Sequence, residues 1–444
     1  MNIKKQGPKN AKQNHSPATL KAKNYKQDRI EFFVVLVFFL LGLAPEAHNK
    51  MSFADDGVWN QVVWASFYVF AAFRIYSMKM QAFFLISRSL PLLGFCALML
   101  LSTFWSVAPS ITFIESIELS GSAMIGLYVV LKFPISSFLK IFLLKFLFVA
   151  TTSLLVIVLS PGRGRDDFGA GPWSGILPDK NSLGAEMALA LVLLLSFSVK
   201  SAKLRLAVIF SALLFSGLLL GSNSATAATS CFGSIGIILA AIFLRSKSTS
   251  NGVRISVITT LALAALGLLI FGFKPDSLLG LIGRSPNLTG RTDFWPYLQQ
   301  AIADRPLLGF GYGAFFASSV GVDYLSTYIV QAGGWSPFHA HNSFFQIALD
   351  AGYFGVTLFA VALASALFQA VKLCFSNTSP ESVYPLSIII YLLIGSFTET
   401  SFARFNTDLW ILFIAAALYP MRNSKLPDSK TAYGLTDGLH GTKS

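Results

Sequence analysis

Two histidines stand two residues apart in HAHNSFFQ, His339–Gln346, at the mouth of an apolar run. The chain holds five histidines, and His15, His48 and His440 lie in polar tails or a short connection. Three chemistries fit the pair. The imidazoles could ligate a metal. One could act as a base, since neutral imidazole removes a hydroxyl proton near pH 7. Both could be polar residues where a helix enters a membrane. The metal reading is the weakest, because i,i+2 side chains diverge on a helix and no HExxH pattern or cysteine supports it. No metal or cofactor is therefore expected.

Other polar groups recur at the ends of apolar runs on the same side. They include Arg163, Arg165, Asp166 and Asp167; Lys180, Asn181 and Glu186; Ser222–Ser224; Arg284, Arg291 and Arg305; Asn342; and Glu399 and Arg404. Interfacial anchoring accounts for many of them. Glu186 stands about one turn inside an apolar run, where an ionisable group is costly unless paired, and Lys180 is the partner expected. Arginines near the histidines suit a pyrophosphate, because guanidinium donors match phosphate oxygens bidentately. The run RPLLGFGYGAF (Arg305–Phe315) carries three alternating glycines around Tyr312. It reads either as a phosphate cradle of backbone amides or as a tight turn returning the chain to the bundle. It matches no nucleotide-binding fingerprint.

The elements that must position these groups are membrane helices. The 444 residues are 54% hydrophobic and 12% charged, with a mean hydropathy of +0.62. A soluble chain carries about 25% charged residues. Apolar runs of about 17–25 residues recur, each long enough to cross a bilayer. Only helices satisfy the backbone within such runs, which are too long for barrel strands. The expected fold class is therefore an all-α polytopic membrane protein with about twelve transmembrane helices. These are placed near 30–45, 58–76, 88–106, 110–131, 137–160, 181–199, 203–221, 225–244, 254–273, 343–370, 384–401 and 405–420.

The net charge of +13 follows this map. Most Lys and Arg fall in alternate short connections and in the tails, which the positive-inside rule places in the cytoplasm with both termini. The basic balance is a topology signal, and nucleic acid is not an expected partner. Residues 1–29 read as a disordered cytoplasmic tail, 30–273 as helices one to nine, 274–342 as a large periplasmic loop, 343–420 as helices ten to twelve and 421–444 as a cytoplasmic tail. Within the loop, TDFWPYLQQAIADRP reads as an amphipathic helix with Phe294, Leu298 and Ile302 on one face and Asp293 as its cap. Cys96, Cys231 and Cys374 are too dispersed for a disulfide framework or a zinc site. No internal repeat is visible, which weakens a transporter reading.

The stretch HNSFFQIALDAGYFG (His341–Gly355) resembles the signature of the O-antigen ligase and polymerase superfamily of bacterial membrane glycosyltransferases. LTGRTDFW (Leu288–Trp295) and RPLLGFGYGAFF (Arg305–Phe316) are similar to its periplasmic loop, and DKNSLG (Asp179–Gly184) to an earlier stretch. The loop wording is most similar to exopolysaccharide polymerases of the succinoglycan type. The resemblance implies metal-independent transfer of glycan from an undecaprenyl-diphosphate carrier to a sugar hydroxyl on a lipid-linked repeat unit or on lipid A-core. It places the protein in the bacterial inner membrane with a periplasmic active site. Membrane lipids and other polysaccharide-assembly proteins are the remaining implied partners. On this reading His341 is the base or acceptor-positioning residue and Arg291 holds the pyrophosphate. Arg305, Lys180, Asn181, Glu186, Asn342, Arg404 and Tyr312 are the expected substrate contacts. One departure stands out: family members often follow the serine equivalent to Ser224 with a basic residue, and here Ala225 and Thr226 follow. A polymerase, a ligase and a non-catalytic flippase all remain open.

Overall fold

Apolar runs that cannot reach water must close their hydrogen bonds within themselves. The computed structural model, which describes residues 17–42, 56–166, 169–199, 201–246 and 291–422, is correspondingly helical. Among the described residues the sole β feature is an isolated bridge between Arg165 and Trp173.

The helices are α1 (Pro17–Leu41), α2 (Asp56–Tyr76), α3 (Lys79–Arg88), α4 (Leu90–Leu101), α5 (Pro109–Lys132) and α6 (Ile135–Leu159). They continue with α7 (Lys180–Leu194), α8 (Ala202–Gly221), α9 (Ala225–Leu244), α10 (Arg291–Asp304) and α11 (Ser319–Gln331). The last three are α12 (Ser343–Ser376), α13 (Tyr384–Gly395) and α14 (Asp408–Arg422). Five of the described helices, α5, α6, α8, α9 and α12, are long and apolar enough to cross a membrane. A sixth span results if α2 and α3, bent by 101°, count as one. The ninth expected span (254–273), Arg284, Asp167 and the outer parts of both tails lie outside the described residues.

Three boundaries differ from expectation. Residues 17–29 are helical, continuous with the first apolar run, although a disordered tail is expected there. Propagating a nucleated helix into Ala18, Leu20, Lys21 and Ala22, all good helix formers, costs little. Next, α3 is a separate short helix turned away from α2. Finally, the eleventh and twelfth runs do not nearly abut: α13 ends at Gly395 and α14 begins at Asp408. The intervening 396–407 segment carries the site.

The main core gathers Phe95, Tyr128, Phe138, Phe142, Phe146, Tyr384, Trp410 and Tyr419, all essentially inaccessible. Outward faces are apolar as well: Phe210, Leu213 and Leu220 on α8, and Leu155 and Leu159 on α6, are exposed. An apolar exterior over spanning helices suits lipid rather than water. A second, smaller core belongs to 291–349, where Phe294, Leu298, Ile302, Phe310, Phe315, Leu325 and Ala340 pack together against the start of α12. The amphipathic face read from the sequence is the buried face of α10. The helix starts earlier than expected, so Asp293 lies in its first turn rather than at the cap, and Pro296 lies inside it.

The bundle has two chemically distinct ends. At one, Glu31 accepts from Arg74 at 2.7 Å and pairs with Lys132 at 2.9 Å, and Arg422 donates to the carbonyls of Val130 and Phe133. Arg245 caps the carbonyls of Cys374 and Asn377 at that same end. The other end carries the histidines.

Candidate functional site

The histidine turn is fixed by α12. Asn342 is its N-cap: Oδ1 accepts from the amides of Phe344 at 2.9 Å and Phe345 at 3.1 Å, and Nδ2 donates to the Phe397 carbonyl at 3.4 Å. A polar side chain satisfying otherwise orphaned amides is what a helix start requires. Asn342, an expected substrate contact, is therefore committed to capping. Just before it, His341 takes a left-handed backbone at φ 48°.

That conformation overturns the argument against a shared histidine site. The two residues precede the helix, so helical divergence does not apply, and the rings lie 3.9 Å apart between centroids. His339 Nδ1 accepts from the His341 amide at 3.1 Å and lies 3.3 Å from Thr400 Oγ1. His341 Nδ1 lies 3.0 Å from Glu399 Oε2. The ligand atoms of His339, His341 and Glu399 all fall within 4.8 Å of one another, a spacing that could hold a cation. The hydrogen bonds oppose that use, because the Nδ1 lone pair of His339 already receives an amide proton.

The arginine-bearing helix docks directly on this turn. Trp295 Nε1 donates to the Ala340 carbonyl at 3.0 Å, and the Phe294 ring lies 6.3 Å from that of His341. Residue 291 opens α10, three and four positions before these two, which places it on their helix face by register. Arg305, just past the end of α10, is exposed and lies over the Phe310 ring at 4.9 Å.

The glycine run is a turn, not a phosphate cradle. Helix α12 breaks at Ala351 and Gly352, where φ is 64°, and the break releases backbone groups. The run satisfies them: Phe310 N donates to Leu349 O at 2.7 Å and Gly311 N to Asp350 O at 3.0 Å, while Tyr353 N donates to Pro306 O at 2.7 Å. Tyr312 N and Gly313 N are taken by Ser102 Oγ and Asp350 Oδ1. These amides are spent inside the protein. A Cβ on Gly352 would stand 2.2 Å from the Leu307 carbonyl carbon, which explains glycine there.

Tyr312, another expected substrate contact, is buried, and its hydroxyl donates to the Ala403 carbonyl at 2.7 Å. Burial pushes its phenol well above the ordinary value, and the nearby Asp350 and Glu115 carboxylates add to the effect. Through that bond it ties the glycine run to the 396–407 segment. That segment is also stapled by Ser343, whose Oγ accepts from Ser401 N at 2.8 Å and Phe402 N at 3.2 Å. Two left-handed residues, Ala403 at φ 55° and Asn406 at φ 54°, flank Arg404 and leave it exposed. Strained non-glycine backbone cost is tolerated where surrounding bonds over-determine it, and such places cluster at working sites.

Glu186 does not pair with Lys180. Its carboxylate meets Lys145 Nζ at 3.2 Å, and Lys145, 2% exposed in the middle of α6, also contacts Asp408 at the start of α14. A lone lysine in IFLLKFLF was the available signal. Lys180 opens α7, where Asp179 caps the helix by accepting from Asn181 N and Ser182 N, and the Lys180 amide lies 3.4 Å from Asp166 Oδ2. Asn181 Oδ1 accepts from Ser224 Oγ at 3.0 Å, joining the starts of α7 and α9. Thus the histidine turn, Phe294 and Trp295 of α10 and the 396–402 stretch are tied together. Lys180 and Asn181 stand at the start of α7, joined to α9 through Ser224, and Glu186 belongs to the ion cluster around Lys145. In the sequence Glu399 is one polar residue among many, and the signal that singles it out is the charged run TETSFARFNTD between two apolar helices.

Residues 208–360 match a family model described as O-antigen ligase. The chain is 26% identical over 325 residues to the exopolysaccharide production protein ExoQ of Rhizobium meliloti, covering 71% of this chain and 73% of that protein. Putative polysaccharide ligases of Rickettsia conorii and Rickettsia felis are 24% and 27% identical over 139 and 143 residues, about a third of each chain. The resemblance to the O-antigen ligase and polymerase superfamily is borne out, and the matched segment contains residue 291, Arg305 and the whole histidine turn.

Proposed function

We propose that this membrane protein of the polysaccharide ligase and polymerase type is a periplasm-facing glycosyltransferase. It joins glycan repeat units by transfer from undecaprenyl diphosphate to a sugar hydroxyl, in the bacterial inner membrane. The observation that carries the reading is the docking of α10 on the histidine turn. That docking, through Trp295 and Phe294, supports a reading in which Arg291, one turn earlier on the helix, supplies a cation for pyrophosphate and His341 a base for a hydroxyl. The length of the match to an exopolysaccharide production protein fits a role in building exopolysaccharide.

In the proposed step, the acceptor hydroxyl gives its proton to His341 as its oxygen attacks the anomeric carbon. The bond from that carbon to the pyrophosphate oxygen breaks, and undecaprenyl diphosphate leaves with the electron pair. Arg291 stabilises the charge developing on the leaving group. The exposed Arg404 supplies a second cation where the superfamily often has one after Ser224. Arg305, Lys180 and Asn181 are further donor contacts in this reading.

The test is transfer by purified protein in lipid, using lipid-linked glycan extracted from a strain lacking this chain. His341→Ala and Arg291→Ala are each expected to reduce product to a residual trace while the folded protein persists. Full activity in both would end this reading, and a wild-type protein forming no glycosidic bond would favour a flippase. A ligase is the second reading, favoured by the O-antigen ligase match and the Rickettsia relatives. In a deletion strain, accumulation of single lipid-linked repeats indicates a polymerase. Long lipid-linked chains indicate a ligase acting on lipid A-core or a protein.

A further inference from the structure

We infer that Glu399 is a positioning residue that sets the tautomer and ring orientation of His341. The inference rests on the transferase reading above and assigns a role to a group that reading leaves unused.

The geometry is specific. Glu399 Oε2 lies 3.0 Å from His341 Nδ1, and the two side chains are 28% and 13% exposed, close to the surface but not open to it. A carboxylate oxygen can only accept, so the shared proton resides on Nδ1 and the imidazole lone pair lies on Nε2. That leaves the opposite nitrogen to receive the acceptor's proton. Once it has done so, the imidazolium faces an anionic partner already in contact.

Glu399 is not there by surface accident, because the segment bearing it is tied to the histidine turn at several points. Ser343 N donates to Ser396 O at 2.9 Å, and Ser343 Oγ donates to the Glu399 carbonyl at 3.2 Å. Asn342 Nδ2 reaches Phe397 O, and the Glu399 amide donates to Gly395 O at 2.8 Å. The residues on either side of His341 act in the same sense. His339 accepts the His341 amide proton, holding the left-handed backbone that turns its ring toward Glu399. Imidazole and carboxylate come from segments 58 residues apart, yet their relative position is determined by backbone hydrogen bonds.

In the balanced step, the acceptor O–H proton moves to Nε2, the oxygen–carbon bond forms and the carbon–pyrophosphate bond breaks. The proton then passes from Nε2 to solvent or to the departing diphosphate. Glu399 keeps its charge throughout and touches no substrate atom.

The experiment compares wild type, Glu399→Ala, Glu399→Gln, Glu399→Asp, His341→Ala and the Glu399→Ala/His341→Ala double variant, in lipid with the extracted lipid-linked glycan. Loss of the carboxylate is expected to lower kcat by about 10²–10⁴-fold, as when an imidazole base loses its orienting partner, with KM changed less than about threefold. Glu399→Asp should recover part of that loss. In the His341→Ala background, Glu399→Ala should cost nothing further, because groups acting as a unit are not additive. If Glu399→Ala does not fold, the isosteric Glu399→Gln carries the comparison. Wild-type kcat in Glu399→Gln beside an inactive His341→Ala would overturn the inference alone. Multiplying losses in the double variant would do the same, showing a purely structural role. A fully active His341→Ala would instead remove the base assignment beneath it.

Discussion

His341 holds a left-handed backbone that costs a side-chain-bearing residue about 1–2 kcal/mol, offset by the amide bond to His339 and the Asn342 cap that follows. Asn342→Ala should lower stability by about 1 kcal/mol and reduce transfer, whereas Asn342→Asp keeps the cap and most of the stability. Thermal unfolding in detergent alongside the transfer assay separates the two effects. At the neighbouring residue, the His339 lone pair is already occupied by an amide proton. Dialysis against a chelator should therefore leave transfer unchanged, and loss restored by zinc would place a cation among His339, His341 and Glu399. His341 and Asn342 were legible in the sequence because their motif is local. The convergence of both histidines was not: it depends on a single backbone torsion, and helical spacing does not apply to residues that precede the helix.

Helix α10 shows what periodicity can read. Phe294, Leu298 and Ile302 are buried as their spacing predicts, each contributing about 1.5–3 kcal/mol of burial. The broken helix α12 shows what it cannot. Its hydropathy runs unbroken through Ala351 and Gly352, and only the pairing of 306–311 against the opened backbone reveals the interruption. Gly352→Ala should destabilise by on the order of 3 kcal/mol or more, since φ is 64° and the added carbon meets Leu307, and expression with thermal unfolding would report it. Tyr312→Phe strips the Ala403 carbonyl of its buried partner and should cost about 1–3 kcal/mol. The same change loosens the 396–407 segment, so transfer should fall further than stability accounts for. Normal transfer in a destabilised Tyr312→Phe protein would show that this segment's position does not matter.

At the scale of the molecule, apolar exteriors and a buried charge cluster divide the bundle between lipid contact and internal ties. Lys145, Glu186 and Asp408 join α6, α7 and the start of α14, immediately after the segment that carries Glu399 and Arg404. Buried ions need one another, so removing one partner costs more than removing all. Lys145→Met should destabilise by about 3–5 kcal/mol, and adding Glu186→Gln and Asp408→Asn should restore much of that. A triple variant no more stable than the single one in a melting experiment would show that the cluster is not a charge-balanced tie. The pairing was hidden from the sequence because Lys145 and Glu186 are 41 residues apart on different helices.

By itself the sequence determined that the chain is helical and membrane-bound, that His341 and Asn342 begin a helix beside a long loop, and that the loop carries an amphipathic helix. These properties follow from composition, from periodicity and from residues that act on near neighbours. Only the tertiary structure decided that the glycine run closes a helix break, that Tyr312 bonds the Ala403 carbonyl, that Glu186 answers Lys145, and that Glu399 meets His341. Each of those depends on side chains from segments distant in the chain, whose meeting is determined by packing and backbone hydrogen bonds that no local pattern encodes.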